Sequence, residues 1–138
     1  MRTALTGYLP FLVAALAAPA VSQAASSSCD GEGSMAPRPG ITVVRSGSGH
    51  SATLKRTDKD GTIHLEQHGR DHAALAVQSG DGSKLVIDQR GASADVEVTQ
   101  GGVCNAAELA QSGQNNRAMV SQSGSGNRVV VRQGPSKE

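Results

Sequence analysis

Aromatic side chains are almost missing from this sequence, which has one Tyr, one Phe and no Trp in 138 residues. Both aromatics, Tyr8 and Phe11, lie close to the N-terminus, so the rest of the chain cannot build an ordinary globular core around rings. An excess of one charge sign is missing too, since 13 Lys and Arg stand against 12 Asp and Glu. That balance argues against capture of nucleic acid or anionic lipid, and it leaves little self-repulsion to keep copies apart. Long apolar runs occur only once. The segment "MRTALTGYLPFLVAALAAPAVSQA" has an early cation at Arg2, an apolar stretch from Leu9 to Val21 broken by Pro10 and Pro19, and small residues at Ser22 and Ala24. This is the layout of a secretory signal cleaved after Ala24, and the run is shorter than the ~20 residues of a spanning helix. Loss of residues 1–24 leaves 12 basic against 12 acidic groups and no aromatic residue at all. Cysteine is scarce, with only Cys29 and Cys104. An oxidising compartment would permit one disulfide between them, but their wide separation and the Ser-rich setting of Cys29 in "SSSC" argue against that pairing.

A neutral, Gly- and Ser-rich chain of this kind is disordered unless a repeat supplies order, and a repeat is present. Gln recurs at 67, 78, 89, 100, 111, 122 and 133, always eleven apart, with Gly two places later at 69, 80, 91, 102, 113 and 124. Toward the N-terminus the same phase meets Arg56 and then Arg45, the latter followed by Gly47. Four and two places before these positions stand Ile41 and Val43, Ala52 and Leu54, Ile63 and Leu65, Ala74 and Ala76, Leu85 and Ile87, Val96 and Val98, Ala107 and Leu109, Ala118 and Val120, Val129 and Val131. All are aliphatic. Their period of two predicts short strands of about five residues, each with one buried face and each ending on the Gln. The residues between, as in "SGSGN" and "SGQNN", carry turn chemistry. Nine strands are expected between about 41 and 133.

A second period selects the architecture. Four places before the ladder position, alternate strands carry Ala52, Ala74, Val96 and Ala118, whereas the others carry Ile41, Ile63, Leu85, Ala107 and Val129. Apart from Ala107 this sets small against large, so the structural unit is 22 residues, two strands per coil. The fold expected is an all-β, two-sheet parallel β-solenoid rising ~4.8 Å per coil, with a thin aliphatic core in which rings would not fit. Residues 22 apart then lie above one another. Gln67, Gln89, Gln111 and Gln133 form one column, and Gln78, Gln100 and Gln122 form the other. Stacked primary amides can bond to each other up such a column. Asn105 and Asn127 are expected to form a shorter ladder at a turn, with Asn116 on the opposite side.

The stretch "QSGQNNRAMVSQSGSGNRVVVRQ" resembles the curlin repeat of curli fibre subunits, with Gln111, Gly113, Asn116, Ala118 and Gln122 at its fixed positions. Gln100, Gly102, Asn105, Ala107 and Gln111 fill the motif again, and "QHGRDHAALAVQ" matches with His72 in place of Asn. The resemblance implies a cross-β, amyloid-type solenoid that stacks on copies of itself and on homologous subunits to form extracellular, surface-attached fibres of the biofilm matrix. It also implies periplasmic chaperones and an outer-membrane export pore as partners, with residues 25–40 as the export-addressing segment, 41–134 as the repeat domain and 135–138 as a tail. That tail, "PSKE", would partly blunt the C-terminal edge. Arg45 and Arg56 depart from the pattern, as do Asp58 in place of Gly and Ser83 and Ala94 in place of Asn. A buried Arg is costly, so the first strands are frayed, capped or less prone to stack, and a nucleator-like minor subunit stands beside the main building block as a reading. A secreted solenoid that binds a surface or metal without polymerising is the other alternative.

Catalysis finds little support, because Ser and Asp fall in turns with no oriented base beside them. No cofactor is implied. His64, His68 and His72 have the spacing of a helical metal site, but the strand phase scatters them between an outer face and a turn. His50 and His72, 22 apart, share a column, where they could bind a metal or repel when protonated; a neutral hydrogen-bonded pair is the simpler expectation.

Overall fold

The computed structural model describes Cys29 and residues 39–134. The expected signal peptide, nearly all of the 25–40 segment and the 135–138 tail lie outside the described residues. Nine strands follow one another: β1 (Gly40–Ser48), β2 (Ser51–Arg56), β3 (Thr62–Arg70), β4 (Ala73–Ser79), β5 (Lys84–Ala92), β6 (Asp95–Gly101), β7 (Ala106–Gln114), β8 (Arg117–Gln122) and β9 (Arg128–Gln133). Odd strands form a five-stranded sheet in the order β1-β3-β5-β7-β9, and even strands form a four-stranded sheet in the order β2-β4-β6-β8. Every pairing is parallel and offset by 22 residues, as in Ile63 opposite Leu85 and Ala74 opposite Val96. The chain is therefore the two-sheet parallel β-solenoid that its 22-residue period predicts.

The alternating pattern determines which side faces in. Ile63, Leu65, Leu85, Ile87 and Leu109 from the five-stranded sheet are buried against Ala74, Ala76, Val96, Val98 and Val120 from the other. Each large aliphatic side chain removed from water contributes about 1.5–3 kcal/mol. Small residues across from them let the two sheets approach closely. At the ends the same positions lose one neighbouring coil, so Ile41 and Val43 remain 44% and 42% exposed although the pattern marks them as core. The outer faces carry cross-coil ion pairs, such as Arg117 with Asp95 at 3.6 Å, of the exposed kind that adds little stability.

Two features differ from the sequence reading. Strands β3, β5 and β7 run nine residues rather than about five, continuing past the ladder Gln. The reason is that the x-Gly-x segment after each Gln stays in register with its neighbour, pairing His68 with Arg90 and Gly69 with Gly91, so main-chain bonding persists into the turn. The second difference is the disulfide. Cys29 and Cys104 are joined, with their Cα atoms 5.2 Å apart, which corrects the expectation that they would not pair. Cys104 has φ 58° at a turn position filled by Gly82 (φ 66°) and Gly126 (φ 70°) in the neighbouring coils. Gly82 has no Cβ, and the Cys29 Sγ occupies the space that a Cβ there would take. The staple therefore passes through a gap that glycine leaves beside Cys104.

Candidate functional site

The positions singled out by period converge on two internal columns and on the turns beside them. In the five-stranded sheet the column is continuous. Gln67 Nε2 donates to Gln89 Oε1 at 3.0 Å, Gln89 Nε2 to Gln111 Oε1 at 3.3 Å, and Gln111 Nε2 to Gln133 Oε1 at 2.8 Å. Each amide also donates across the core to a carbonyl of the other sheet, namely Ser51, Ala73, Asp95 and Arg117 for Gln67, Gln89, Gln111 and Gln133. These second bonds tie the two sheets together. They also make burial of the amides tolerable, since an unpaired buried polar atom costs about 1–3 kcal/mol.

All these bonds run in one direction, and Arg45 explains why. Its Nε donates to Gln67 Oε1 at 3.1 Å. A guanidinium only donates, so the Gln67 oxygen must face Arg45 and the Gln67 nitrogen must face Gln89. That choice propagates along the column. Arg45 is thus an end cap, exposed at the edge of β1, rather than a buried charge.

The second column is interrupted. Gln100 Nε2 donates to Gln122 Oε1 at 2.6 Å, and Gln122 Nε2 donates to the Ala106 carbonyl. Gln78 is fully buried, yet neither of its amide atoms has a partner, and Gln100 Oε1 has none either. The main chains of Gln78 and Gln100 are in register, so the break is confined to side chains; nothing else in the structure accounts for it. Arg56, next in this column, turns away to its own loop, donating to the Gly61 carbonyl at 2.6 Å and pairing with Asp58 at 3.1 Å. Asp58 is shielded from solvent, and loss of hydration pushes its carboxyl above the usual range despite the opposing pull of Arg56 and of the Gly61 N–H.

The turns supply a third element. Asn105 is buried and donates to the Gly101 and Gly124 carbonyls at 2.8 and 2.9 Å, while its Oδ1 accepts from both the backbone N and Nδ2 of Asn127. Asn116 makes only a local bond to the Ser112 carbonyl; it has no ladder partner because Ala94 occupies the equivalent place one coil back. On that side His72 does the work of Asn. Its Nε2 bonds the His68 carbonyl at 3.0 Å and its Nδ1 accepts from the Ala94 N at 3.2 Å. The two bonds fix the neutral ring with its proton on Nε2. His50 stacks on it with ring centroids 5.1 Å apart. His64 and His68 instead flank Glu66 on the outer face at 3.0 and 3.7 Å, so the three closely spaced histidines do not converge. Among the described residues no group of three or more His, Cys, Asp or Glu could hold a metal.

The turn glycines are placed by sterics. Gly69, Gly80, Gly91, Gly102, Gly113 and Gly124 all have φ between 94° and 126°. A Cβ on Gly69, Gly80, Gly91 or Gly102 would land on the carbonyl oxygen of the glycine in the next coil. At these four positions a side chain would force the coils apart.

The Curlin associated repeat family matches the chain at residues 91–124 and again at 104–134. Residues 91–134 are thus similar to curlin repeats. No curated protein matches it. The curlin matches cover β6 to β9 with part of β5, and the earlier coils share their register without a match of their own. Those are the coils that carry Arg45, Arg56, Asp58 and His72. Sequence reasoning missed the His72 bond pattern and the Arg45 polarity; the signal for both was present as a departure from the repeat at a known phase.

Proposed function

We propose that the chain is a structural subunit of extracellular curli-type amyloid fibres, exported after loss of its signal peptide and serving biofilm matrix, surface adhesion and aggregation. It joins a fibre by cross-β stacking of its end coils on other curlin subunits. The single observation that carries this reading is the set of amide columns in 22-residue register, which present both edge main chain and side-chain bonding groups at the solenoid ends. An incoming chain that aligns its own columns gains both kinds of bond at once. Replacing Gln111 and Gln122 together with Leu keeps side-chain volume but breaks the first column at Gln111 and removes the Gln100–Gln122 link of the second, and this slows thioflavin-positive fibre formation severalfold. Unchanged kinetics would refute templating by the amides. A purified chain that stays monomeric for days and melts cooperatively would instead support a non-polymerising solenoid. The second reading within the same class, a minor nucleator-like subunit, is favoured by Arg45 at the N-terminal edge. Export through an outer-membrane pore with periplasmic chaperones follows from the same reading and is tested by secretion of the chain with and without residues 25–40.

A further inference from the structure

The two ends of the solenoid are chemically different, and the difference resides in the ladder positions. At the C-terminal edge Gln133 accepts from Gln111 through Oε1 and donates through Nε2 to the Arg117 carbonyl, so its remaining N–H is directed along the column toward the next coil. Gln122 stands the same way in the other column, accepting from Gln100 and donating to the Ala106 carbonyl. Both columns therefore end on a donor. What continues them is a coil that offers an oxygen at the ladder position.

The chain's own first coil offers none. Arg45 and Arg56 occupy its two ladder positions, and a guanidinium has no acceptor. A second copy can be set on this edge in two ways. Placing β1 over β9 brings Arg45 against the Gln133 nitrogen, and it leaves a gap of one missing strand between β8 and β2, because the nine strands end on a half coil. Turning the copy by half a coil places β1 over β8 and β2 over β9, and then Arg45 meets Gln122, while Arg56, turned to its own loop, offers Gln133 no oxygen. In both settings a cation faces an amide donor inside a stack. Inverting the Gln133 amide gives no relief, since that breaks its bonds to Gln111 and to the Arg117 carbonyl.

We propose that the solenoid has one closed and one open end: its β8/β9 edge takes a different curlin-type subunit, one with Gln at the ladder positions of its first coil, in preference to a second copy of this chain. The inference rests on the fibre-subunit reading and names the partner that reading leaves open. The chain accordingly starts or joins fibres of a Gln-bearing subunit and does not extend itself efficiently.

The test uses the full mature chain fixed to a surface as the seed. Soluble probes are the same chain, the R45Q/R56Q variant, which supplies the missing oxygens, and the R45M/R56M variant, which removes the charge without supplying an oxygen. Far-ultraviolet circular dichroism verifies that each probe folds. R45Q/R56Q is expected to add to the seed at least about tenfold faster than the unmodified chain, with R45M/R56M close to the unmodified chain. Equal rates for the unmodified chain and R45Q/R56Q overturn the closed end while leaving the fibre-subunit reading intact. A fast R45M/R56M overturns the acceptor argument in favour of charge alone. Failure of every probe to add, with no thioflavin-positive material from any of them in solution, overturns both the inference and the fibre-subunit reading.

Discussion

Two glutamines that look equivalent in the sequence should respond oppositely to the same substitution. Gln89 is fully buried; its Nε2 serves the Ala73 and Ala94 carbonyls and Gln111 Oε1, and its Oε1 accepts from Gln67. Gln89→Leu strands one N–H of Gln67 and the oxygen of Gln111 in the core. At about 1–3 kcal/mol each, and allowing about 1–2 kcal/mol back for burying an aliphatic side chain, the net loss is about 0–5 kcal/mol and centres on about 2.5 kcal/mol. Gln78→Leu removes an amide that already lacks partners and leaves Gln100 Oε1 no worse than before. Its effect should fall between zero and a gain of about 1 kcal/mol. Both variants keep the volume and the strand pattern, so cavity terms stay small. Guanidinium unfolding of freshly folded chains, followed by circular dichroism, reads the difference as a shift in midpoint at constant slope. A Gln78→Leu variant destabilised as much as Gln89→Leu would refute the reasoning, because it would mean that the second column is bonded throughout its length.

The Cys29–Cys104 disulfide closes 75 residues, a loop for which chain entropy assigns about 4 kcal/mol; Cys29→Ser should lower the thermal midpoint markedly, and a reducing agent should then have no further effect. Gly91→Ala places a methyl on the Gly113 carbonyl at φ 111°, whereas Gly124→Ala at φ 94° meets nothing closer than 3.6 Å, so urea titrations should show the first to be destabilised by at least about 2 kcal/mol more than the second. Burial raises the Asp58 pKa, so the folded state binds its proton more readily than the unfolded chain. For that group stability rises as pH falls from neutral through the raised pKa toward the ordinary value of 3.8 and is flat below it; the difference in midpoint between the unmodified chain and Asp58→Asn should therefore change across that window, and a constant difference would contradict the assignment.

Much of the fold could be read from phase alone. The eleven-residue Gln and the aliphatic pairs before it place each strand, and the alternation of Ala52, Ala74, Val96 and Ala118 with larger residues sets the 22-residue coil, because side-chain size is what two closely facing sheets must share. Phase also located the columns, but not the bonds within them. Whether Gln78 meets Gln100 depends on side-chain torsions that period does not carry. The direction of the bonded column depends on a single donor-only residue at its end, Arg45. The disulfide lay beyond the same kind of reasoning, since Cys29 precedes the repeat and its partner site is a gap created by the absence of a side chain at Gly82. His72 stands in between: its place in the repeat was legible, whereas its substitution for Asn by two ring nitrogens became clear only from its bonds.

The amides of one column stack at intervals of 22 residues, and under the proposed function that register continues into a fibre. Solid-state nuclear magnetic resonance of fibres containing the chain, with Gln side chains labelled at nitrogen and carbonyl carbon, tests this directly. Side-chain correlations between Gln67 and Gln89, Gln89 and Gln111, and Gln111 and Gln133 are the result expected from the bonds in the column. Correlations between neighbours eleven apart, such as Gln89 with Gln100, would contradict it.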